Sequence, residues 1–498
     1  MKKADQHIIR PGLLWALILC FSFSSRAQDK RLEVPFKINE SPPLVIPVGA
    51  AGVFIANFSE NRKKRGKKLF TLGHYDSLLN KSWEKEVAYP KNLKLSGYEG
   101  FDDKLYMVFH AVNARGFYVI RADPHSGTVN TIPIRYLDKF VFHDFVVYQD
   151  KIFITGQMRN IATGVMADLL TGTTKPIPTA FRGKNIEARH INANDGRVFI
   201  SFTLEDRNNR EVIIREIDPQ TGKILRDLVV RPEGQYDLIS GQVTKLNERE
   251  SIVIGTYAYK NKESTQGFYF AGFVDEELVF TKYHSFTDLD NFFGFLSEER
   301  AEKIMEKVSR KKERGKDLKL KYEFLVHDLI RKGDEYIMLG EAYYPVYRTE
   351  RVYRYYAGAR YYDYVQVFDG YQYTHATVAG FNTNGNILWD QSFPIEETRL
   401  FRLKELVSAW SEGDNTLLVY NHEGKINQMA IENDRLVFSG STRLVDTGFS
   451  GDNVRNASLG DSEHWYSKNF LFWGYQKIKN SNQNTKRRNI FYVNKVMF

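Results

Sequence analysis

A short apolar strand phrase recurs eight times along this chain and restricts its fold more than any other feature. The phrases are Val53-Phe54-Ile55, Leu105-Tyr106-Met107, Ile152-Phe153-Ile154, Val198-Phe199-Ile200, Ile252-Val253-Ile254, Tyr336-Ile337-Met338, Leu417-Leu418-Val419 and Leu471-Phe472-Trp473. They lie 52, 47, 46, 54, 84, 81 and 54 residues apart. A period near 50 residues means repeated supersecondary units that bury their apolar faces on one another. Five intervals match one propeller blade, and the two long ones match a blade carrying an insertion. Each phrase leads into a loop, a second strand, a turn and a third strand. The turns are Asp123-Pro124-His125-Ser126-Gly127, Leu170-Thr171-Gly172, Asp218-Pro219-Gln220-Thr221-Gly222 and Asn382-Thr383-Asn384-Gly385, residues that tolerate or pre-set turn dihedrals. Phe and Tyr contribute 35 and 29 residues against 14 Pro, a bias that suits half-buried strands. The expectation is an all-β chain: an eight-bladed β-propeller, with seven blades as the alternative, closed by an early strand between Gln28 and Val48.

The segments Asp218-Pro219-Gln220-Thr221-Gly222-Lys223-Ile224-Leu225 and Asn384-Gly385-Asn386-Ile387-Leu388-Trp389 resemble the turn-and-strand segment of quinoprotein-type and WD-like blades. That resemblance to β-propeller repeat proteins implies the fold alone. The tryptophan that recurs in quinoprotein blades is present only at Trp83 and Trp389, so no cofactor is expected. The rival architecture is an outer-membrane β-barrel, because the chain ends on an alternating strand, Ile490 to Phe498, with a terminal aromatic. Against it, the strands are short between turns, whereas barrel strands need about 9–11 residues.

Lys2, Lys3 and Arg10 precede an apolar run from Leu13 to Phe23, followed by Ser25-Arg26-Ala27, the pattern of a secretory signal peptide spanning residues 1–27. Residues 28–498 would then be a single propeller domain, and the protein exported: periplasmic, outer-membrane-associated or secreted. The apolar run is too short for a permanent span of about 20 residues, and no helical membrane anchor is expected. Cleavage would remove Cys20, the only cysteine, so stability must come from the core and from strand pairing. It would also remove four basic residues and one acidic one, reducing the net charge from +9 to +6.

The basic residues concentrate in connections between the second and third strands of the repeats. The first such connection carries Arg62, Lys63, Lys64, Arg65, Lys67 and Lys68, and the last carries Lys486, Arg487 and Arg488. The sixth repeat has a Tyr-rich loop insertion at 343–373 with eleven tyrosines, among them Tyr355 and Tyr361, and with Arg351, Arg354 and Arg360. Before it, residues 297–314 predict a helical insertion: Ser297 as N-cap, Glu298 and Glu299 in the first turn, and a cationic end running to Gly315. In an up-and-down blade all these segments emerge on one face, forming a positive, ring-rich surface for a protein or anionic polysaccharide partner. Nucleic acid is not expected, since the chain lacks any nucleic-acid motif.

Counting back from the strand phrases places Ser96, His143, His327 and Ser408 near the channel mouth, with His190 one position off. Val141-Phe142-His143-Asp144-Phe145 and Leu325-Val326-His327-Asp328-Leu329 are nearly the same phrase. His143, His190 and His327 could ligate a metal at the axis, or serve as structural hydrogen-bonding groups. No catalytic motif is present: His-Glu-x-x-His, a phosphate loop and a Gly-x-Ser-x-Gly elbow are all missing. The sequence therefore favours a non-catalytic envelope binding or scaffold module. A metal-dependent lyase or hydrolase is the alternative.

Overall fold

Each of the eight phrases is the second strand of a separate antiparallel sheet in this computed structural model. The structure describes residues 30–498 except 37–40, 59–62, 65, 112–113, 136–138, 160, 179–184, 207–208, 357–358, 445–446, 448, 459 and 482–486. Residues 1–29, with the expected signal peptide, lie outside the described residues. With strands named a to d from the axis outward, blades 1 to 7 span 44–90, 94–135, 141–177, 185–230, 236–285, 323–400 and 408–444. Blade 8 takes a to c from 452–497, and its d strand is Lys30–Pro35 from the other end of the chain.

The second strands read as continuous apolar runs because both of their faces are buried between neighbouring blades. Ile152, Phe153 and Ile154, for instance, are all fully buried. One apolar cluster fills each junction between blades, eight in all. The last joins Val45, Val53, Ile55 and Tyr75 of blade 1 to Trp465, Leu471, Phe491 and Val493 of blade 8. The ring is closed by an antiparallel ladder from Lys30↔Lys495 to Pro35↔Ile490. Within it Arg31 donates to Gln476 Oε1 at 2.7 Å and lies 4.8 Å from the Tyr492 ring centroid. The chain is an eight-bladed β-propeller, which excludes both seven blades and a single membrane barrel.

The four turn signatures join strands c and d. Asp123, Asp168 and Asp218 each accept two backbone N–H bonds through Oδ1, while Gly127, Gly172, Gly222 and Gly385 take φ between +63° and +71°. Because blades are meanders, these turns lie on the face opposite the b–c turns and the interblade connections.

The helical insertion is an α-helix, Glu298–Lys312, between blades 5 and 6. Its Val308 is buried, and Ala301 and Ile304 pack with Phe286, Phe292 and Phe293. The Tyr-rich insertion differs in form from the expected loop. It is a β-ribbon, in which Glu335–Tyr356 and Ala359–Asn382 stay in register to Tyr356↔Ala359. Residues 346–356 and 359–370 pair only with each other, so the ribbon extends beyond strands a and d of its blade.

Candidate functional site

In blade 6 strand a is broken into Glu323–Val326 and Ile330–Lys332, and the break turns His327 and Asp328 toward the axis. Gln242 of blade 5 holds the break, donating to the His327 carbonyl at 3.0 Å and accepting from the Leu329 N–H at 3.2 Å. His327 is buried, with Nε2 2.8 Å from Glu341 Oε1 and Nδ1 3.6 Å from Glu405 Oε2. Glu341 is fully buried, and its Oε1 also accepts the Leu406 and Val407 N–H groups at 2.8 Å, tying blade 6 to blade 7. Asp328 Oδ1 lies 3.0 Å from His190 Nε2, so a contact from blade 6 reaches blade 4 past blade 5.

These groups titrate together. Burial opposes the charged form of His327, but the hydrogen bond to Glu341 and the charge of Glu405 outweigh it and raise its pKa. Asp328 does the same for His190. Burial would lift Asp328, yet the close contact with His190 and the charges of the two imidazoles hold it below the usual carboxylate range. Burial pushes Asp144 up, Glu99 up to about 7 and Glu463 up to about 8. The axis is thus a set of carboxylates from blades 2, 3, 6 and 8 and, through Glu405, from the connection between blades 6 and 7, served by two imidazole–carboxylate pairs, an arrangement able to hold and exchange protons.

Of the residues expected near the channel mouth, His190 and His327 flank Asp328, while His143 stays exposed beside Asp144 and joins neither pair. Ser408 donates to the Ser462 carbonyl at 2.8 Å, linking blades 7 and 8, and Ser96 is exposed. Among the described residues no group of three or more His, Cys, Asp or Glu is placed to hold a metal ion. Sequence reasoning missed Glu99, Asp328, Glu341, Glu405 and Glu463. The one available signal was the aspartate of the duplicated His-Asp phrase.

The basic and Tyr-rich segments all emerge on the face carrying the b–c turns. Arg62, Arg65 and Lys486 lie outside the described residues. Lys63–Lys64 pair with Lys67 and Lys68 in a short hairpin at the end of blade 1, where Lys67 is exposed. On the ribbon, Tyr347, Tyr353, Tyr355, Tyr361, Tyr362 and Tyr364 are exposed, Tyr355 at 72%. The ribbon arginines are internally engaged. Arg351 lies 3.2 Å from the Tyr362 ring centroid and Arg360 4.2 Å from that of Tyr353, while Arg354 pairs with Asp363 at 2.8 Å. In blade 8, Arg488 is half-buried and paired with Asp452 and Glu33, so it serves the closure; Arg487 is exposed.

Solved structures resemble the chain only at low similarity. The Dos1 propeller aligns over 93% of this chain and 95% of its own, with 8% identity and a TM-score of 0.42. The β-propeller domain of the Trilobed protease from Pyrococcus furiosus aligns over 81% and 94%, with 9% identity and a TM-score of 0.35. The polysaccharide lyase Uly1 aligns over 94% and 99%, with 8% identity and a TM-score of 0.40. No family model matches the chain, and no curated protein matches its sequence.

Proposed function

We propose that this protein is an exported binding module of the cell envelope that docks a protein partner through the blade 6 ribbon. One observation carries this reading: six exposed tyrosines stand on a two-stranded ribbon whose edges pair with nothing else among the described residues. An isolated two-stranded ribbon is marginal in water. Here arginine–tyrosine stacking and the Arg354–Asp363 pair hold the rings in place, which lowers the entropy cost of presenting them. Tyr and Arg are also the residues that dominate the energetics of protein interfaces. The pattern at residues 1–27 supports export.

The test is a photoreactive amino acid placed at Tyr355 or Tyr364 in producing cells. A discrete cross-linked species, lost when Arg351 and Arg360 are changed to Glu, is the expected result. A correctly folded protein that gives no discrete species from either position would overturn the reading.

A second reading, hydrolytic or lyase chemistry at the axis, is favoured by the His327–Glu341 and His190–Asp328 pairs. Near-equimolar transition metal in protein purified without chelator, lost in His190→Ala and His327→Ala, would establish it over the binding module.

A further inference from the structure

The pleat of blade 8 sorts its side chains onto two faces. On strand b, Tyr475, Lys477 and Lys479 alternate onto one face. Register adds Asn489 and Asn456 opposite Lys477, and Phe491 opposite Tyr475. Phe36 follows Pro35, the partner of Ile490, and so falls in the row of Asn489. The other face carries Ile478, Ile490 and Tyr492, packed toward blade 7, together with Arg488. At the b–c end the first face opens into a groove of about 930 Å³ lined also by Phe36 and Pro42.

Arg455, Lys477, Lys479 and Arg487 line this groove, and none of them pairs with a carboxylate among the described residues. Everywhere else on this blade the cations are engaged: Arg31 with Glu33, Arg488 with Asp452 and Glu33, Lys495 with the Tyr466 hydroxyl and the Ser77 carbonyl. Four cations in one groove with no carboxylate paired to them among the described residues form a positive field. The wall adds two rings in contact, Phe36 and Tyr475, tilted by 38° with centroids 4.2 Å apart. The Tyr475 hydroxyl is shielded from solvent and has no hydrogen-bond partner. Asn456 and Asn489 supply amides at the same surface. A volume in the range of small-ligand sites, aromatic rings, amides and unpaired cations together suit a ligand with ring faces, hydroxyls and negative charge.

We propose that this closure groove binds an acidic saccharide, the carboxylates held by Lys477, Lys479, Arg455 and Arg487 and the sugar rings lying against Phe36 and Tyr475. The site is separate from the ribbon, and neither proposal depends on the other.

The test is calorimetric titration of the mature protein with a hexamer of galacturonic acid, with neutral maltohexaose and with inorganic phosphate as comparison probes. The acidic hexamer should bind at least tenfold more tightly than either comparison probe and weaken at 0.5 M salt. Lys477→Glu with Arg487→Glu should weaken it a further tenfold while leaving the melting temperature unchanged, and Arg351→Glu with Arg354→Glu on the ribbon should leave binding intact. Equal binding of the neutral hexamer, equal binding of phosphate, or undiminished affinity in the Lys477→Glu/Arg487→Glu protein would each overturn the proposal. Absence of any discrete ribbon cross-link in the otherwise unchanged protein, with groove binding retained, would count against the ribbon alone.

Discussion

On the ribbon of blade 6, Arg348 pairs with Glu350, Arg354 with Asp363, and Arg351 and Arg360 lie over tyrosine rings. At the corresponding end of blade 8, among the described residues, Arg488 is consumed by carboxylates, while Arg455, Lys477, Lys479 and Arg487 line the groove with no carboxylate partner. Both ends are rich in cations and carry aromatic rings, yet one spends its charge on stiffening itself and the other leaves it available. Counting basic residues does not separate these cases; the strand pleat and the position of nearby carboxylates do. The two ends also differ in what the ring requires of them, since blade 8 closes the propeller and the ribbon stands outside it.

The largest effect that could break this contrast comes from the closing strand. Deleting residues 28–36 removes a six-residue ladder and the apolar contacts of Leu32, Val34 and Phe36. We expect a loss of about 5 kcal/mol, comparable with the whole net stability of many domains, seen as a collapsed melting temperature. An unchanged melting temperature would mean that blade 8 is as dispensable as the ribbon.

A smaller effect compares two carboxylates. Asp452→Ala leaves the half-buried Arg488 without the acid it shares with Asn480 and should cost about 2 kcal/mol in denaturant unfolding. Asp363→Ala on the exposed ribbon should cost under about 0.5 kcal/mol. Equal costs would erase the distinction between structural and presented charge.

The axis provides a third region with its own pH signature. Glu99 and Glu463 are held up at about 7 and about 8 by burial, so the stability linked to their protonated forms is fully present below about 4.5. It is lost as pH rises through 7 and 8. Glu99→Gln with Glu463→Gln should flatten this decline and add about 1 kcal/mol or less at pH 8, because Glu463 is reached by solvent. A wild-type stability that rises from pH 5 to 8 would refute the assignment. The smallest effect is expected on the ribbon itself. Replacing residues 346–369 with a short Gly-rich turn should change stability by no more than about 0.5 kcal/mol while abolishing co-purification of the partner identified by cross-linking.

The ring was readable because each second strand is buried on both sides. That forces runs such as Ile152-Phe153-Ile154 and leaves a periodic mark in the chain. The Asx turns and the helix were readable for a similar reason: Asp218 with Gly222, and Glu298 with Arg310 to Lys312, satisfy local backbone requirements. The ribbon read as a loop because its residues meet no core, so neither face imposes an apolar alternation. The axial carboxylates were hidden for a different reason. Glu99 and Glu463 are 364 residues apart and face a common channel only after the ring closes. Arg487 and Arg488 are adjacent in sequence and were indistinguishable until the fold set Arg488 against Asp452 and Glu33 and left Arg487 lining the groove.

The pairing of Lys30–Pro35 with Arg488–Met497 also sets the order of events during synthesis. A ribosome completes the first of these strands before the blades and its partner after them, so every blade between them is made while the opening strand still lacks a partner. Joining ends separated by more than 450 residues would cost an unstructured chain about 5 kcal/mol in loop entropy. Seven blades already docked side by side bring the ends together and remove most of that cost. Unlike an open stack of repeats, whose outer units can fray one at a time, the finished ring has no terminal unit, and unlatching one strand exposes the edge of the whole assembly.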